Sequence, residues 1–355
     1  KFPIIINKIS RPSYKEWIMA IGNTSTRKNV KNLPEDFSSR GAQGATRDVP
    51  IRIAVLMGGP SAEYEVSINT GKMVLENLDK EKYKAEPIVI TRDNFWPISR
   101  EDLKSNFEVV FIAMHGEYGE DGTIQTILEE IGIPYTGSGP TASKLGMEKI
   151  PFSHLMIKNG ILVPDFCANE NDPTLKEIGL PLVVKPADRG SSVGVTLVNK
   201  WDQLDEAIVY AKKYSEQIMF QKYIKGREFT CGVVEIEGKP TAMLPTEIIP
   251  KNPFFDYEAK YVAGASQEIT PPPNTPEDKI KELQNLALRI HQLVGCRDYS
   301  RTDFLMDGEG KIYTLEINTL PGMTATSLLP GAAKISDISF PKLLDIIINN
   351  ALQHD

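Results

Sequence analysis

An apolar run at residues 51–57, interrupted only by Arg52, stops abruptly at Gly58, Gly59 and Pro60. Runs that end on turn formers in this way are typical of parallel strands buried on both faces. A helical spacing follows, and further strand-like runs lie at residues 85–91 and 109–114. The helical positions are Val66, Thr70, Met73, Val74 and Leu78. Alternation of strand and helix predicts an α/β domain on a parallel sheet.

The second half of the chain has a different pattern. Its strand-like runs are joined mostly by short polar or glycine-containing turns, which predicts an α+β, largely antiparallel arrangement. They lie at residues 182–185, 193–198, 218–223, 229–236 and 241–249. The proline-rich stretch 270–276 must be a loop. It is followed by one apolar helical face, at Ile280, Leu283, Ala287, Ile290 and Val294.

Turn-forming residues are dense at 133–140, so we place the first domain boundary near residue 138. We expect an N-terminal α/β domain at 51–137, a central domain at 138–222 and a C-terminal domain at 223–355. The 355 residues suffice for two or three domains.

Residues 1–50 differ from the rest in charge and polarity. They contain nine basic and four acidic residues and are polar from residue 22 onward. This composition cannot build a core of its own. We predict a poorly ordered basic extension or an artificial leader, with a targeting peptide as the alternative.

The overall charge of the chain is acidic, with 40 Lys and Arg against 47 Asp and Glu, and a net charge of -7. This balance argues against nucleic acid as a partner and favours small-molecule chemistry. No apolar run approaches the roughly 18 residues of a membrane helix, so no membrane association is expected. The cysteines at 167, 231 and 296 form no Cys-x-x-Cys pair, which is typical of buried thiols in a reducing cytoplasm.

Two strands, at residues 303–306 and 311–318, flank a turn and carry informative polar side chains. Glu316 and Asn318 are two apart and therefore share a face, and pairing through the turn brings Asp303 to the same patch. Two carboxylates and an amide oxygen suit Mg²⁺, which takes its remaining ligands from water and nucleotide phosphates. A solvated polar face is the alternative, but a carboxylate in an apolar string is costly to bury without a cation. We therefore predict a magnesium site.

Lys185 ends a strand and precedes a glycine-rich loop at residues 189–194. Such loops can present backbone N–H groups to phosphate, although most are plain hairpin turns. The chain contains neither a P-loop nor a dinucleotide-binding fingerprint, so a nucleotide would be held in another way. His115 follows the strand 109–114 at its carboxyl end, where α/β sheets hold ligands. The string GSSVG at 190–194 leads into another predicted strand and not into a helix, so it is no nucleophile elbow, and H-E-x-x-H is absent; two routes to a hydrolase are thereby removed.

Taken together, several strings resemble the D-alanine:D-alanine ligases of the ATP-grasp superfamily, over residues 51–353. They are GGPSAEYEVS at 58–67, HGEYGEDGT at 115–123, YTGSG at 135–139, KP at 185–186, GSSVG at 190–194, DYEAKY at 256–261 and EINTLPGM at 316–323. The resemblance implies a three-domain ATP-grasp fold with a Rossmann-like N-terminal domain. It also implies a cytoplasmic enzyme of peptidoglycan synthesis that joins two D-alanine molecules through an acyl phosphate, releasing ADP and phosphate.

On the ATP side, the resemblance implies that Lys149 and Lys185 hold the phosphates. It assigns two Mg²⁺ or Mn²⁺ ions to Asp303, Glu316 and Asn318. Further implied ATP-binding residues are Gly190, Ser191, Ser192, Gln221, Lys222, Ile224 and Glu228. Gln221 stands where the family usually has Glu, which weakens the prediction of adenine recognition there.

On the amino-acid side, the resemblance implies that Glu63 pairs with the ammonium of the first D-alanine. Ser191 and Tyr261 orient Glu63, while Arg301 and the backbone N–H of Gly322 stabilise the tetrahedral oxyanion.

For the second D-alanine, the resemblance implies that Ser327 and Lys260 receive the carboxylate beside Leu328, while His115 lies near the first substrate. The segment 256–261 is implied to close over the site and to exclude water from the acyl phosphate.

Plainer interpretations stay open. Glu63 could be a first-turn helix acid, Tyr261 a packed aromatic residue and Arg301 a surface cation. A ligase that takes D-lactate or D-serine as second substrate is the nearest competing function. Tyr261 argues against D-lactate, because ligases of that kind usually replace this tyrosine, whereas D-serine is not distinguished. A non-catalytic nucleotide-binding module is a third possibility, and the resemblance implies a homodimer.

Overall fold

The computed structural model describes residues 49–190, 193–250, 266–324 and 326–354. The predicted extension 1–50 therefore lies almost wholly outside the described residues. Within them, the strands form three sheets of three, four and six strands. None of the described helices is both long and apolar enough to cross a membrane.

The first sheet is parallel, as predicted. Its strands are β1 (Ile51–Gly58), β2 (Tyr83–Ile90) and β3 (Val109–Ile112), in the order β2-β1-β3. Connecting helices are α1 (Tyr64–Asn77), α2 (Arg100–Asn106) and α3 (Thr123–Ile131). The middle strand β1 is buried from Ile53 to Gly58, because helices cover both faces of a parallel sheet.

The four-stranded sheet is antiparallel and follows two helices, α4 (Pro140–Met147) and α5 (Lys149–Lys158). Its strands are β4 (Phe166–Cys167), β5 (Leu182–Pro186), β6 (Thr196–Val198) and β7 (Ile218–Lys222), in the order β4-β7-β5-β6. Helices α6 (Thr174–Ile178) and α7 (Leu204–Lys212) complete this part.

The six-stranded sheet is also antiparallel, as the turn pattern predicts. Its strands are β8 (Gly226–Ile236), β9 (Lys239–Ala242), β10 (Thr246–Pro250), β11 (Ser266–Ile269), β12 (Tyr299–Asp307) and β13 (Ile312–Asn318). The expectation of one strand over 241–249 is wrong, because β9 and β10 are separate. Pro245 lies between them and has no N–H to donate to a ladder.

Helix α8 (Glu277–Val294) buries all five residues predicted for its apolar face. It packs on the six-stranded sheet together with α5, in a core that includes Phe152, Leu283 and Phe304. The last helices, α9 (Leu328–Ile335) and α10 (Phe340–Ala351), share a core with the parallel sheet. The chain's end is therefore packed against its first sheet.

A partly buried ion pair fastens the loop 270–276 to the six-stranded sheet. Arg227 on β8 donates from Nε and Nη2 to the two carboxylate oxygens of Glu247 on β10, at 2.7 and 2.8 Å. The same Nη2 donates to the carbonyl of Pro273 at 2.7 Å. Because Glu247 is 6% exposed, hydrogen bonds from this arginine are needed to offset the cost of burying its carboxylate.

Glu247→Gln should lower the free energy of unfolding by about 2 kcal/mol, because it replaces a charged, forked hydrogen bond by a weaker neutral one. Urea denaturation measures the difference. The control is Glu282→Gln, which removes a half-exposed partner of Lys279 at 2.8 Å and should change stability by less than about 0.5 kcal/mol. Equal effects of the two variants would contradict the prediction.

Candidate active site

Two adjoining cavities lie between the sheets. The first, of 360 Å³, runs from α1 and the end of β3 to the β12–β13 hairpin and the start of α9. The second, of 420 Å³, lies between β5, β7, β8 and β13. Both are lined by Lys149, Gly190, Ile248, Asp303 and Glu316, so the two cavities meet at the predicted metal and phosphate residues.

Every predicted site residue that the structure describes lines one or both cavities. The amino-acid side occupies the first cavity, with Glu63, His115, Arg301, Gly322, Ser327 and Leu328. The remaining ATP-side residues occupy the second, with Lys185, Gln221, Lys222, Ile224 and Glu228. Asn318 lines the first cavity beside the shared residues. Ser191, Ser192, Lys260 and Tyr261 lie outside the described residues.

The β12–β13 hairpin brings the predicted metal ligands together. Asp303 lies opposite Glu316 in the antiparallel register, and Arg301 lies opposite Asn318. The ladder is irregular between Asp303 and Phe304, directly beside the site. The amide oxygen of Asn318 is oriented by the backbone N–H of Leu320, at 2.8 Å. The predicted hairpin is therefore confirmed.

Cationic and hydroxyl groups surround the two carboxylates. The Nε and Nη2 atoms of Arg301 each donate to Asp303 at 3.2 Å, and Thr230 Oγ1 donates to the same carboxylate at 2.5 Å. Lys149 Nζ lies 3.1 Å from Glu316 Oε2. Asp303 is only 5% exposed, so a solvated hairpin face is the wrong interpretation of this residue. Arg301, at 19%, is not a surface cation either.

This donor set fits a hard cation that also binds phosphate. Among the described residues, no group of three or more His, Cys, Asp or Glu side chains could hold a metal alone. Asp303, Glu316 and Asn318 supply three oxygen-bearing side chains on one face, which leaves the other positions of an octahedral ion to water and phosphate.

Two lysines approach the second cavity from different elements. Lys149, the first residue of α5, donates from Nζ to the carbonyl of Arg189 at 2.6 Å. Lys185, at the end of β5, donates to Gln221 Oε1 at 2.8 Å. Both lysines are at least nine-tenths buried. Gln221 stands where the resemblance leads us to expect Glu. Since its Oε1 accepts from Lys185, its amide NH₂ is left as a hydrogen-bond donor, which a Glu carboxylate does not have.

His115 is held at the end of the parallel sheet by hydrogen bonds on both sides of its ring. Its Nε2 lies 2.8 Å from Thr70 Oγ1, and its Nδ1 lies 3.2 Å from Glu120 Oε1. The adjacent Gly116 has φ of 71°, and a Cβ there would stand 2.7 Å from Glu63 Oε2. Only glycine therefore lets this turn approach Glu63 so closely.

Glu63 immediately precedes α1, but its side chain makes no capping hydrogen bond to that helix. The side chain lines the first cavity, and its place at the start of α1 also suits the plainer interpretation of an acid that complements the helix dipole.

The segment before α9 closes the first cavity at the predicted second-substrate position. Ser327 Oγ accepts a hydrogen bond from the backbone N–H of Thr324 at 3.0 Å and lies 2.8 Å from Thr324 Oγ1. A Cβ on Gly322 would stand 2.9 Å from Ser327 Oγ. Glycine at 322 thus keeps the backbone and the serine hydroxyl close together.

Glu120 and Glu268 line the first cavity although the sequence did not single them out as site residues. Glu120 belongs to the string at 115–123, and its five-residue spacing from His115 was the available signal. Burial raises the pKa of the Glu120 carboxyl; its hydrogen bond with His115 opposes this shift, and the charge of Glu63 adds to it.

The raised pKa predicts how stability varies with pH. The ionised form of Glu120 costs free energy in the folded state, so its favourable contribution is complete below the unfolded pKa near 4.5 and is lost as pH rises through the folded pKa. Glu120→Gln retains an oxygen acceptor for His115 but does not titrate. The free energy of unfolding of the original protein, relative to Glu120→Gln, should therefore fall as the pH rises above about 4.5. A relative rise would mean that the carboxylate is stabilised as an anion.

Family models match both halves of the chain. The model of the D-ala D-ala ligase C-terminus matches residues 142–349, and that of the D-ala D-ala ligase N-terminus matches residues 52–107 and 97–138. A D-alanine--D-alanine ligase from Geobacter sulfurreducens is 43% identical over 305 residues, which are 84% of this chain and 94% of that protein.

Solved structures agree with this match. The D-alanine--D-alanine ligase from Bacillus anthracis complexed with ATP has a TM-score of 0.73 and 34% identity, covering 85% of this chain and 98% of that one. The VanG D-Ala:D-Ser ligase from Enterococcus faecalis has a TM-score of 0.75 and 32% identity, covering 85% and 100%. With a family model over more than half of its residues and such relatives over most of its length, the chain belongs to the D-alanine–D-alanine ligase family and has the ATP-grasp fold.

Proposed function

We propose that this protein joins two D-alanine molecules into D-alanyl-D-alanine, using ATP, for peptidoglycan synthesis. The observation that carries the proposal is the meeting of the two cavities at Lys149, Asp303 and Glu316. A carboxylate in the first cavity and a triphosphate in the second would meet at these residues. The reaction forms a bond between that carboxylate and the γ-phosphorus, and ADP leaves. The amine of the second D-alanine then displaces phosphate.

On the ATP side, Lys185 and Lys149 would neutralise phosphate charge, and Gln221 would hydrogen-bond the adenine through its amide. Lys222, Ile224 and Glu228 would line the nucleoside part of the cavity, with Gly190, Ser191 and Ser192 covering the phosphates. Asp303, Glu316 and Asn318 would hold Mg²⁺ or Mn²⁺, which supplies positive charge to the transferring phosphoryl group.

On the amino-acid side, Glu63 would receive the ammonium of the first D-alanine, oriented by Ser191 and Tyr261, with His115 beside it. Arg301 and the N–H of Gly322 would donate to the oxyanion that develops when the second amine attacks.

For the second D-alanine, Ser327 and Lys260 would bind the carboxylate beside Leu328. The position of Ser327 Oγ, held by the backbone N–H of Thr324 and lining the first cavity, supports this assignment.

D-serine is the second candidate for the attacking substrate. The similarity to a D-Ala:D-Ser ligase at 32% identity favours keeping it, since D-serine adds only one hydroxyl to D-alanine. D-lactate is disfavoured by Tyr261, because ligases that take D-lactate usually replace this tyrosine.

The test is phosphate release with Mg²⁺ and ATP, supplying D-alanine, D-serine, D-lactate and L-alanine separately and in pairs, with products identified by mass. We expect dipeptide from D-alanine alone, with one phosphate per dipeptide. Mixed product formed in preference from D-alanine and D-serine would assign the second substrate to D-serine. ATP turnover without any condensed product would indicate a nucleotide-binding module and would overturn the proposal.

Three further assignments rest on this function. We propose domain boundaries at 137/138 and 222/223, because the strands of each sheet fall within one of the resulting ranges. We also propose a homodimer. A cytoplasmic location suits an enzyme that consumes ATP and whose cysteines are all buried and free.

A further inference from the structure

An ion pair between Glu117 and Arg189 connects the two sides of the site. Glu117 lies in the turn after His115, and Arg189 immediately precedes Gly190, which lines both cavities. The two side chains are 47% and 33% exposed, so they meet at the surface between the parallel sheet and the four-stranded sheet.

The turn that carries Glu117 is rigidly held. The N–H of Glu120 donates to the carbonyl of Gly116 at 2.8 Å, and the N–H of Tyr118 donates to Asp121 Oδ2 at 2.9 Å. Gly116 packs directly against the carboxylate of Glu63, as described above. Glu117 is therefore adjacent in the chain to the residue whose backbone lies against the proposed ammonium-binding carboxylate.

Arg189 is held equally well on the other side. Its Nε donates to the carbonyl of Tyr214 at 3.0 Å, and its own carbonyl accepts from Lys149 Nζ at 2.6 Å. Lys149 in turn contacts Glu316. A displacement of Arg189 would therefore move the lysine proposed to hold phosphate.

We propose that Glu117 and Arg189 are a positioning pair that sets the distance between the amino-acid cavity and the phosphate-binding residues. The inference rests on the proposed ligase function. Glu117 lines neither cavity and Arg189 lines the second, so the test below separates the pairing from a direct contact of Arg189 with the nucleotide. The pair fixes the distance between the amino-acid cavity, which holds the carboxylate, and the residues that hold the γ-phosphate. Because these two groups must react with each other, a small displacement of either one slows the reaction strongly.

The test is a charge exchange. Glu117→Arg and Arg189→Glu should each lower kcat by about tenfold, with smaller changes in the KM for ATP and for D-alanine. The double variant restores the opposite charges in reversed order and should recover kcat to within about threefold of the original protein. Glu130→Arg is the matched control, because it makes the same charge change at an exposed pair with Arg100, and it should leave kcat unchanged.

A second measurement does not require turnover. In the ATP-free protein, amide hydrogen exchange at Lys149 and Ala187, whose N–H groups donate to the carbonyls of Ala187 and Gln217 at 2.7 and 2.8 Å, should rise in each single variant and return to the original rate in the double variant. Failure of the original protein to make dipeptide would refute the ligase function, whereas the exchange data test the pair alone. Single variants that match Glu130→Arg in kcat and in exchange would overturn the pairing. A third outcome would also overturn it: Arg189→Glu lowers kcat, Glu117→Arg alone does not, and the double variant is no better than Arg189→Glu. That result would assign Arg189 to the phosphates.

Discussion

Glu316→Gln should lower the rate of dipeptide formation by about a thousandfold while leaving the fold intact. Glu316 lies opposite Asp303 on the hairpin, where the two cavities meet. The substitution keeps the size of the side chain but removes one of the two carboxylates proposed to hold the metal, and it also removes the charge that faces Lys149. The rate of phosphate release with saturating Mg²⁺, ATP and D-alanine measures the effect.

Glu309→Gln is the control, because Glu309 lies in the turn of the same hairpin, paired with Lys311 and 76% exposed. It should retain full activity. Melting temperatures of both variants should stay within a few degrees of the original protein. Activity of Glu316→Gln above a tenth of the original would contradict the metal assignment.

Arg301→Lys should lower kcat by about a hundredfold or more, although it preserves the positive charge. Arg301 directs two N–H groups to Asp303 through Nε and Nη2, a geometry that an ammonium cannot reproduce. A lysine would leave the buried Asp303 with fewer donors and would shift the donor expected at the oxyanion. The effect should appear in kcat more than in the KM for D-alanine, because the contact strengthens in the transition state.

Arg297→Lys provides the comparison. Arg297 donates to the hydroxyl of Tyr135 at 3.0 Å and lines neither cavity. The Arg297→Lys variant should keep kcat within about twofold of the original protein, since the substitution lies away from the reacting atoms. An Arg301→Lys variant as active as Arg297→Lys would remove Arg301 from the proposed mechanism.

Local patterns account for much of the predicted fold. The apolar run at 51–57 is a buried parallel strand, and the helical face from Ile280 to Val294 is buried as expected. The predicted strands are wrong or missing where a proline interrupts an apolar run or where a strand is very short. Pro245 divides one predicted strand into two, and β4 was missed because two residues, Phe166 and Cys167, carry too little periodicity to recognise.

Some features of the candidate site could likewise be predicted from local sequence, and others could not. The metal residues could be predicted because the side chains of Glu316 and Asn318 share a face by strand geometry, and a short turn fixes where Asp303 lies. Glu120 lies in the string at 115–123, but its raised pKa could not be predicted, because that shift depends on burial and on the nearby charge of Glu63, which only the packing shows.

The sequence by itself determined the order of strands and helices, the hairpin with its carboxylates and the family resemblance, because each depends on residues near one another in the chain. Only the tertiary structure decided that Lys149 meets Glu316, that Gly116 packs against Glu63, and that Glu117 meets Arg189. Each of these contacts joins residues that are distant in the chain. Their geometry depends on how whole elements pack, and the same charges at other packing angles would lie exposed and unpaired.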